Sequence, residues 1–129
     1  GVAYDPRIKT CVMLNTGIGD MEMMGATKES LKNLHTPMFY MIGGPGDIAY
    51  ANAQKDYDAI KRVPVVLADN TQSGHDGTYR QEFGGDNSRM VRSWLDWLFK
   101  DAKEHDALFK QGDLRGYTGW TIKSKNFKE

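Results

Sequence analysis

Three short apolar runs stand out along the chain, at residues 10–15 (Thr-Cys-Val-Met-Leu-Asn), 37–42 (Pro-Met-Phe-Tyr-Met-Ile) and 63–68 (Val-Pro-Val-Val-Leu-Ala). None alternates with the period of two that marks a half-buried strand. Each stops at residues that break regular structure: Thr16-Gly17-Ile18-Gly19, Gly43-Gly44-Pro45-Gly46 and Asp69-Asn70-Thr71. A continuous apolar run of this length, bounded by turns, suits a strand covered on both faces, as in a parallel sheet. Between and after the runs the apolar spacing becomes helical. Residues 28–34 set Leu31 and Leu34 on one side, and 47–60 carry Ile48, Tyr50, Ala51, Tyr57 and Ala59 behind Asp47, a residue type that caps helix starts. The most regular helix is expected over 86–104, where Met90, Val91, Trp94, Leu95 and Leu98 recur at i, i+3 and i+4, with Asp86 or Asn87 capping its first turn. Residues 117–122 read as a short strand or extended segment, and 123–129 as a frayed end. The predicted class is α/β, a three-layer parallel sheet with flanking helices and right-handed crossovers, in one domain without repeats or linkers.

Composition narrows the function classes. The 129 residues are 40% hydrophobic and 26% charged, the balance of a globular protein. Seventeen basic residues meet seventeen acidic ones, so the basic stripe that nucleic acid demands is not expected. No apolar run approaches the ~18 residues of a membrane span, so no membrane partner is expected either. Nothing reads as a signal peptide, and localisation stays open. Cys11 is the lone cysteine, which excludes an intrachain disulfide; inside an apolar run it reads as a small buried hydrophobe.

The candidate chemistry lies in two loops. Gly43-Gly44-Pro45-Gly46-Asp47 follows the second predicted strand, and Gln72-Ser73-Gly74-His75-Asp76-Gly77 follows the third. Taken singly, Asp47 reads as a helix cap and His75 as a solvated turn residue. Taken together, a carboxylate after one parallel strand and a histidine after the next stand side by side at the end of the sheet where open α/β folds carry their chemistry. A buried carboxylate orienting an imidazole is the arrangement of nucleophilic catalysis. The loop also matches Gly-x-Gly-x-x-Ala at Gly44-Pro45-Gly46-Asp47-Ile48-Ala49, with Asp69 ending the next strand, the place of a ribose-binding acid in that motif. A non-catalytic nucleotide-binding or interaction module on that loop is therefore the alternative. Against it, Asp47 puts negative charge where pyrophosphate docks, and Pro45 removes an amide. His75 and Asp76 share no ligand spacing with His35 or His105, so no metal is expected.

These residues resemble the α/β hydrolases, whose chain order is nucleophile, acid, histidine. The stretches His35-Thr36-Pro37-Met38-Phe39-Tyr40-Met41-Ile42-Gly43-Gly44 and Gly74-His75-Asp76-Gly77-Thr78-Tyr79 look especially like esterases and dienelactone hydrolases. The resemblance covers roughly residues 1 to 105 and implies that 10–15, 37–42 and 63–68 are the last three strands of that fold, strands six, seven and eight. It implies Asp47 as the triad acid, His75 as the base, an ester as small-molecule substrate, and no metal or organic cofactor. The Gly-x-Ser-x-Gly nucleophile elbow is absent: Ser30, Ser73, Ser88, Ser93 and Ser124 all lack flanking glycines at minus two and plus two. Gly1-Val2-Ala3-Tyr4-Asp5-Pro6 looks like the end of the helix before strand six. The chain is thus expected to be the C-terminal segment of a hydrolase domain, partnered by the nucleophile-bearing N-terminal half or a second copy. Met21-Glu22-Met23-Met24 is where such enzymes place part of a substrate pocket, or simply packs beneath its loop.

Overall fold

A computed structural model describes residues 5–19 and 26–128. The three apolar runs become strands β1 (Cys11–Leu14), β2 (Met38–Ile42) and β3 (Val65–Asn70). The helices are α1 (Tyr50–Ala59), α2 (Gly77–Arg80), α3 (Gly85–Phe99) and α4 (Asp106–Gln111), and the last strand is β4 (Trp120–Lys125). The sheet order is β1-β2-β3-β4. The first three strands run parallel, with Met38 opposite both Cys11 and Val65, while β4 is antiparallel to β3. The fold is α/β, an open and mostly parallel sheet with helices on its faces.

Every residue of β2 is buried, because successive side chains point to opposite faces and both faces are covered. Met38, Tyr40, Ile42, Val65 and Leu67 pack with Ala53 and Tyr57 of α1. Phe39, Met41, Val66 and Ala68 pack with Met90 and Trp94 of α3 and with Leu108 and Phe109 of α4. Each large side chain so buried contributes roughly 1.5–3 kcal/mol relative to leaving it exposed.

Several expectations shift. The 28–34 helix is a 3₁₀ helix, Lys28–Asn33, that buries Leu31. Helix α1 begins at Tyr50, since Asp47 turns its carboxylate back onto the Ala49 amide (2.9 Å) and the preceding loop instead of heading the helix. Its buried positions are Ala53, Asp56 and Tyr57, whereas Ile48 is 82% exposed. Asp56 is tolerated in the interior because it accepts hydrogen bonds from the Ile18 and Gly19 amides (2.7 Å each) and from the Tyr40 hydroxyl (3.1 Å). Helix α3 stops at Phe99, short of the expected 104, as the chain passes through a left-handed backbone at Asp101 (φ 52°) into a 3₁₀ turn and α4. Residues 123–125, expected to fray, belong to β4, with the Lys123 and Lys125 ammonium groups 4.6 and 4.5 Å from the centre of the Tyr57 ring. Residues 1–4 and the methionine segment 21–24 lie outside the described residues.

Candidate active site

The carboxyl ends of β1, β2 and β3 lead into three loops that meet. The Gly74 amide donates to the Gly43 carbonyl at 2.8 Å. A side chain on Gly43 would put its Cβ 2.0 Å from the Gly74 oxygen, so the contact requires glycine. Gly44, with φ 80°, turns the chain sharply beside the Thr71 carbonyl, and its amide donates to Asp69 Oδ1 at 2.8 Å. The turn brings Asp47 beneath the loop that carries His75.

Asp47 and His75 meet directly, with His75 Nδ1 2.7 Å from Asp47 Oδ1. The Asp47 side chain is fully buried, and that of His75 is 47% exposed. Asp47 Oδ1 also accepts the Ala49 amide, and Oδ2 accepts the Gly43 amide and the Asn15 side-chain amide, each at 2.9 Å. Burial opposes ionisation of Asp47, but the hydrogen bonds from Ala49, Asn15, His75 and Gly43 outweigh it and hold the carboxyl below its usual range. An ionised Asp47 can only accept, so Nδ1 of His75 carries the proton and the neutral ring keeps its lone pair on Nε2. Among the described residues nothing hydrogen-bonds to Nε2. The arrangement is an imidazole oriented through Nδ1 with its second nitrogen open.

Asp69 behaves oppositely. Burial raises its pKa, with the nearby Asp47 charge adding to the rise and the Gly44 amide countering it. Opposite signs follow for stability. Asp47, with a lowered folded pKa, stabilises the fold above the ordinary carboxyl value of 3.8 and loses that contribution as pH falls through its folded pKa. For Asp69 the contribution is complete below 3.8 and is lost as pH rises through its raised pKa. Urea midpoints between acid and neutral pH test both. The deficit of Asp47→Asn relative to the parent is expected to shrink on acidification. Asp69→Asn, which keeps an acceptor for Gly44, is expected to gain on the parent toward neutral pH. A constant offset for either variant would refute the sign given to that residue.

The His75 loop is held from the far side by Asn87, which does not cap α3; that helix starts from Gly84 in a left-handed conformation, φ 79°. Asn87 is buried; it accepts from Asn70 Nδ2 (2.9 Å) and donates to Thr78 Oγ1 (2.9 Å) and Ser73 Oγ (3.3 Å). Asp76, next to His75, pairs with Arg80 one turn along α2. Reading the sequence missed the roles of Asn15 and Asn87. Both are polar residues whose partners lie far along the chain or in another element, and their only signal was position, at a strand end and in a first turn.

Other candidates fall elsewhere. The Gly43 and Gly44 amides of the glycine loop are taken by Asp47 and Asp69, the latter buried instead of presented to a ribose. His35 Nε2 meets the Asp5 carbonyl at 2.9 Å, and His105 packs on Phe109 with ring centres 6.4 Å apart. Among the described residues no group of three His, Cys, Asp or Glu is placed to hold a metal ion, and no helix is long and apolar enough to cross a membrane. Cys11 is partly buried in β1. A cleft of about 580 Å³ between α3 and α4 shares no lining residue with the Asp47–His75 pair, and its Arg89, Arg92 and Arg115 are paired with Asp86, Asp96 and Asp113. Compared with models of known protein families and with curated protein sequences, the chain matches none.

Proposed function

We propose that this chain supplies the acid, Asp47, and the general base, His75, of a Ser-His-Asp triad in a carboxylic-ester hydrolase of the α/β-hydrolase kind. The observation that carries the reading is the 2.7 Å bond between a fully buried carboxylate and a half-open imidazole whose Nε2 is uncommitted. The strand order supports it as well. Acid and histidine follow consecutive parallel strands, as they do in that family.

The chemistry follows from the tautomer. Nε2 takes the proton of a serine hydroxyl as its oxygen bonds to the ester carbonyl carbon. Nε2 then returns that proton to the departing alkoxide as the ester C–O bond breaks. A water molecule repeats the sequence to free the acid. Throughout, Asp47 stays ionised, fixes the ring and stabilises the imidazolium. Neither a metal nor an organic cofactor takes part.

The nucleophile and the oxyanion donors come from another polypeptide segment in this reading. The chain has no Gly-x-Ser-x-Gly. Ser30 Oγ accepts from the Thr27 amide (3.1 Å), Ser73 Oγ accepts from Asn87 Nδ2 (3.3 Å), and Ser93 Oγ meets the Tyr117 hydroxyl (3.5 Å). Strand β1 is the edge of the sheet nearest the site, and beside it a groove of about 390 Å³ is lined by Leu14, Met41, Val91 and Leu95 among others. An edge strand without a partner on its outer side among the described residues, next to apolar surface, is a template for another strand. The edge is covered by the nucleophile-bearing half of the domain or, failing that, by a second copy of the chain, which would pair with the strand without supplying a nucleophile. The nucleotide-binding alternative draws no support, because the loop's glycine amides face this chain's own carboxylates.

The test is reconstitution. Residues 1–129 alone should not hydrolyse a short-chain aryl ester above background, since losing a single oxyanion donor already costs about 10²–10³ in rate. Adding a polypeptide with the Gly-x-Ser-x-Gly strand should restore turnover, and His75→Ala should remove the gain. Light scattering should then report a mass above one chain. Hydrolysis by the isolated chain that survives His75→Ala would sink the reading.

A further inference from the structure

We infer that Asn15 is a positioning residue of this site, its side-chain amide fixing which oxygen of Asp47 meets His75. The inference rests on the reading of Asp47 and His75 as acid and base, and extends it to a third strand end. Asn15 follows directly on β1, and its backbone amide continues the pairing by donating to the Met41 carbonyl at 2.8 Å. Its φ is 52°, the left-handed region that most side chains avoid and that glycine and, to a lesser degree, asparagine tolerate. Glycine would satisfy the backbone alone. The difference asparagine makes is its amide, and that amide is used.

Asn15 Nδ2 lies 2.9 Å from Asp47 Oδ2 and 3.4 Å from the Gly74 carbonyl. Both neighbours are acceptors, so the nitrogen and not the oxygen must face them. One side chain at the end of β1 therefore ties the acid loop after β2 to the histidine loop after β3. It also divides the carboxylate. Oδ2 is held by Asn15 and Gly43, and Oδ1 by Ala49 and His75. The final torsion of an aspartate is soft and nearly two-fold, so its preferred rotamer alone does not hold the carboxylate plane. With Asn15 removed, Oδ2 keeps only the Gly43 amide, and the plane that directs Oδ1 at Nδ1 loosens.

The experiment separates side chain from backbone. Asn15→Gly accepts the left-handed conformation freely and lacks the amide; Asn15→Asp keeps the shape and turns a donor into an acceptor facing Asp47. Both are made in the protein as purified, with any polypeptide that accompanies it. The readout is the proton NMR resonance of His75 Nδ1–H and its exchange with water, with Asp47→Asn as reference. Asn15→Gly is expected to keep the parent's amide spectrum away from the site while the His75 resonance moves upfield and exchanges faster. Asn15→Asp is expected to abolish it. In the reconstituted esterase, Asn15→Gly should lower kcat by about 10²-fold, the scale of a small misplacement, with KM little changed. If the resonance is unmoved in Asn15→Gly yet lost in Asp47→Asn, Asn15 positions nothing and the acid–base reading stands. If Asp47→Asn leaves it unmoved too, that reading fails and this inference with it. Should Asn15→Gly not fold, Asn15→Asp decides: a lost resonance supports the inference and a retained one overturns it.

Discussion

On the proposed triad reading, Asp47→Asn is expected to lower kcat for ester hydrolysis in the reconstituted protein by about 10⁴-fold with little change in KM, the effect of the wrong tautomer. The hydrogen bonds around residue 47 explain why an isosteric change is so costly. Every neighbour of the carboxylate is a donor: the Gly43 and Ala49 amides, Asn15 Nδ2 and His75 Nδ1. An asparagine brings one nitrogen that also donates, and it must face one pair of these. Each pair contains a backbone amide, Gly43 or Ala49, that cannot reverse, so the side chains decide, and Asn15 cannot turn its oxygen inward without opposing the Gly74 carbonyl 3.4 Å away. The imidazole is the partner able to give way, by moving its proton from Nδ1 to Nε2. That movement blocks the atom that accepts the serine proton in the proposed mechanism. Steady-state kinetics on the two reconstituted enzymes check this, and a variant within tenfold of the parent would show that Asp47 does not set the tautomer.

Trp94→Ala should be the most damaging truncation for stability. Trp94 is fully buried at the centre of an aromatic cluster, with ring centres 5.3 Å from Phe39, 5.4 Å from Phe109 and 5.7 Å from Trp97. Its indole nitrogen donates to Thr10 Oγ1 at 3.2 Å, linking α3 to the residue before β1. Removing a buried indole costs about 3–5 kcal/mol through lost burial and the cavity left behind. In a chain of this size that corresponds to a melting temperature lower by about 10–20 °C. Trp94→Phe, which keeps most of the volume, should recover more than half of the loss. Calorimetry of both variants decides; a Trp94→Ala protein melting within a few degrees of the parent would mean that α3 does not pack on the sheet through this face.

The parts of the fold legible in the sequence were those whose signal is local. Residues 38–42 are apolar without interruption because both faces of β2 are covered, and the run's shortness and its Gly and Pro ends favour a strand over a buried helix. The stripe from Met90 to Trp94 marked α3 for the same reason. Where the reading failed, the deciding interaction lay elsewhere in the chain. Ile48 looked like a core position of a helix, but Asp47 is drawn back by Gly43 and His75, so that the helix starts at Tyr50 and Ile48 faces outward. Helix α4 spans six residues, too few for a periodic pattern, although Gly112 at its end, with φ 71°, was a stop signal in plain view. Asp47 and His75 could be named because glycine-rich turns after strands are conspicuous. Asn15, Asn87 and Asp56 could not, since a buried polar residue reveals its role only through partners that folding brings to it.

The two borders of the sheet are unlike, and this gives the molecule a direction of growth. On β4 the side chains at 123 and 125 are lysines bent over Tyr57, cationic groups that repel an incoming strand. On β1, Cys11, Val12, Met13 and Leu14 carry no charge at all. Among the described residues β1 is therefore the more adhesive border. Two copies joined through it about a two-fold axis would each use up that template, and an assembly built on β1 alone would close at a pair instead of extending into a fibre. The same asymmetry means that a polypeptide paired along β1 would also occupy the border that favours self-association.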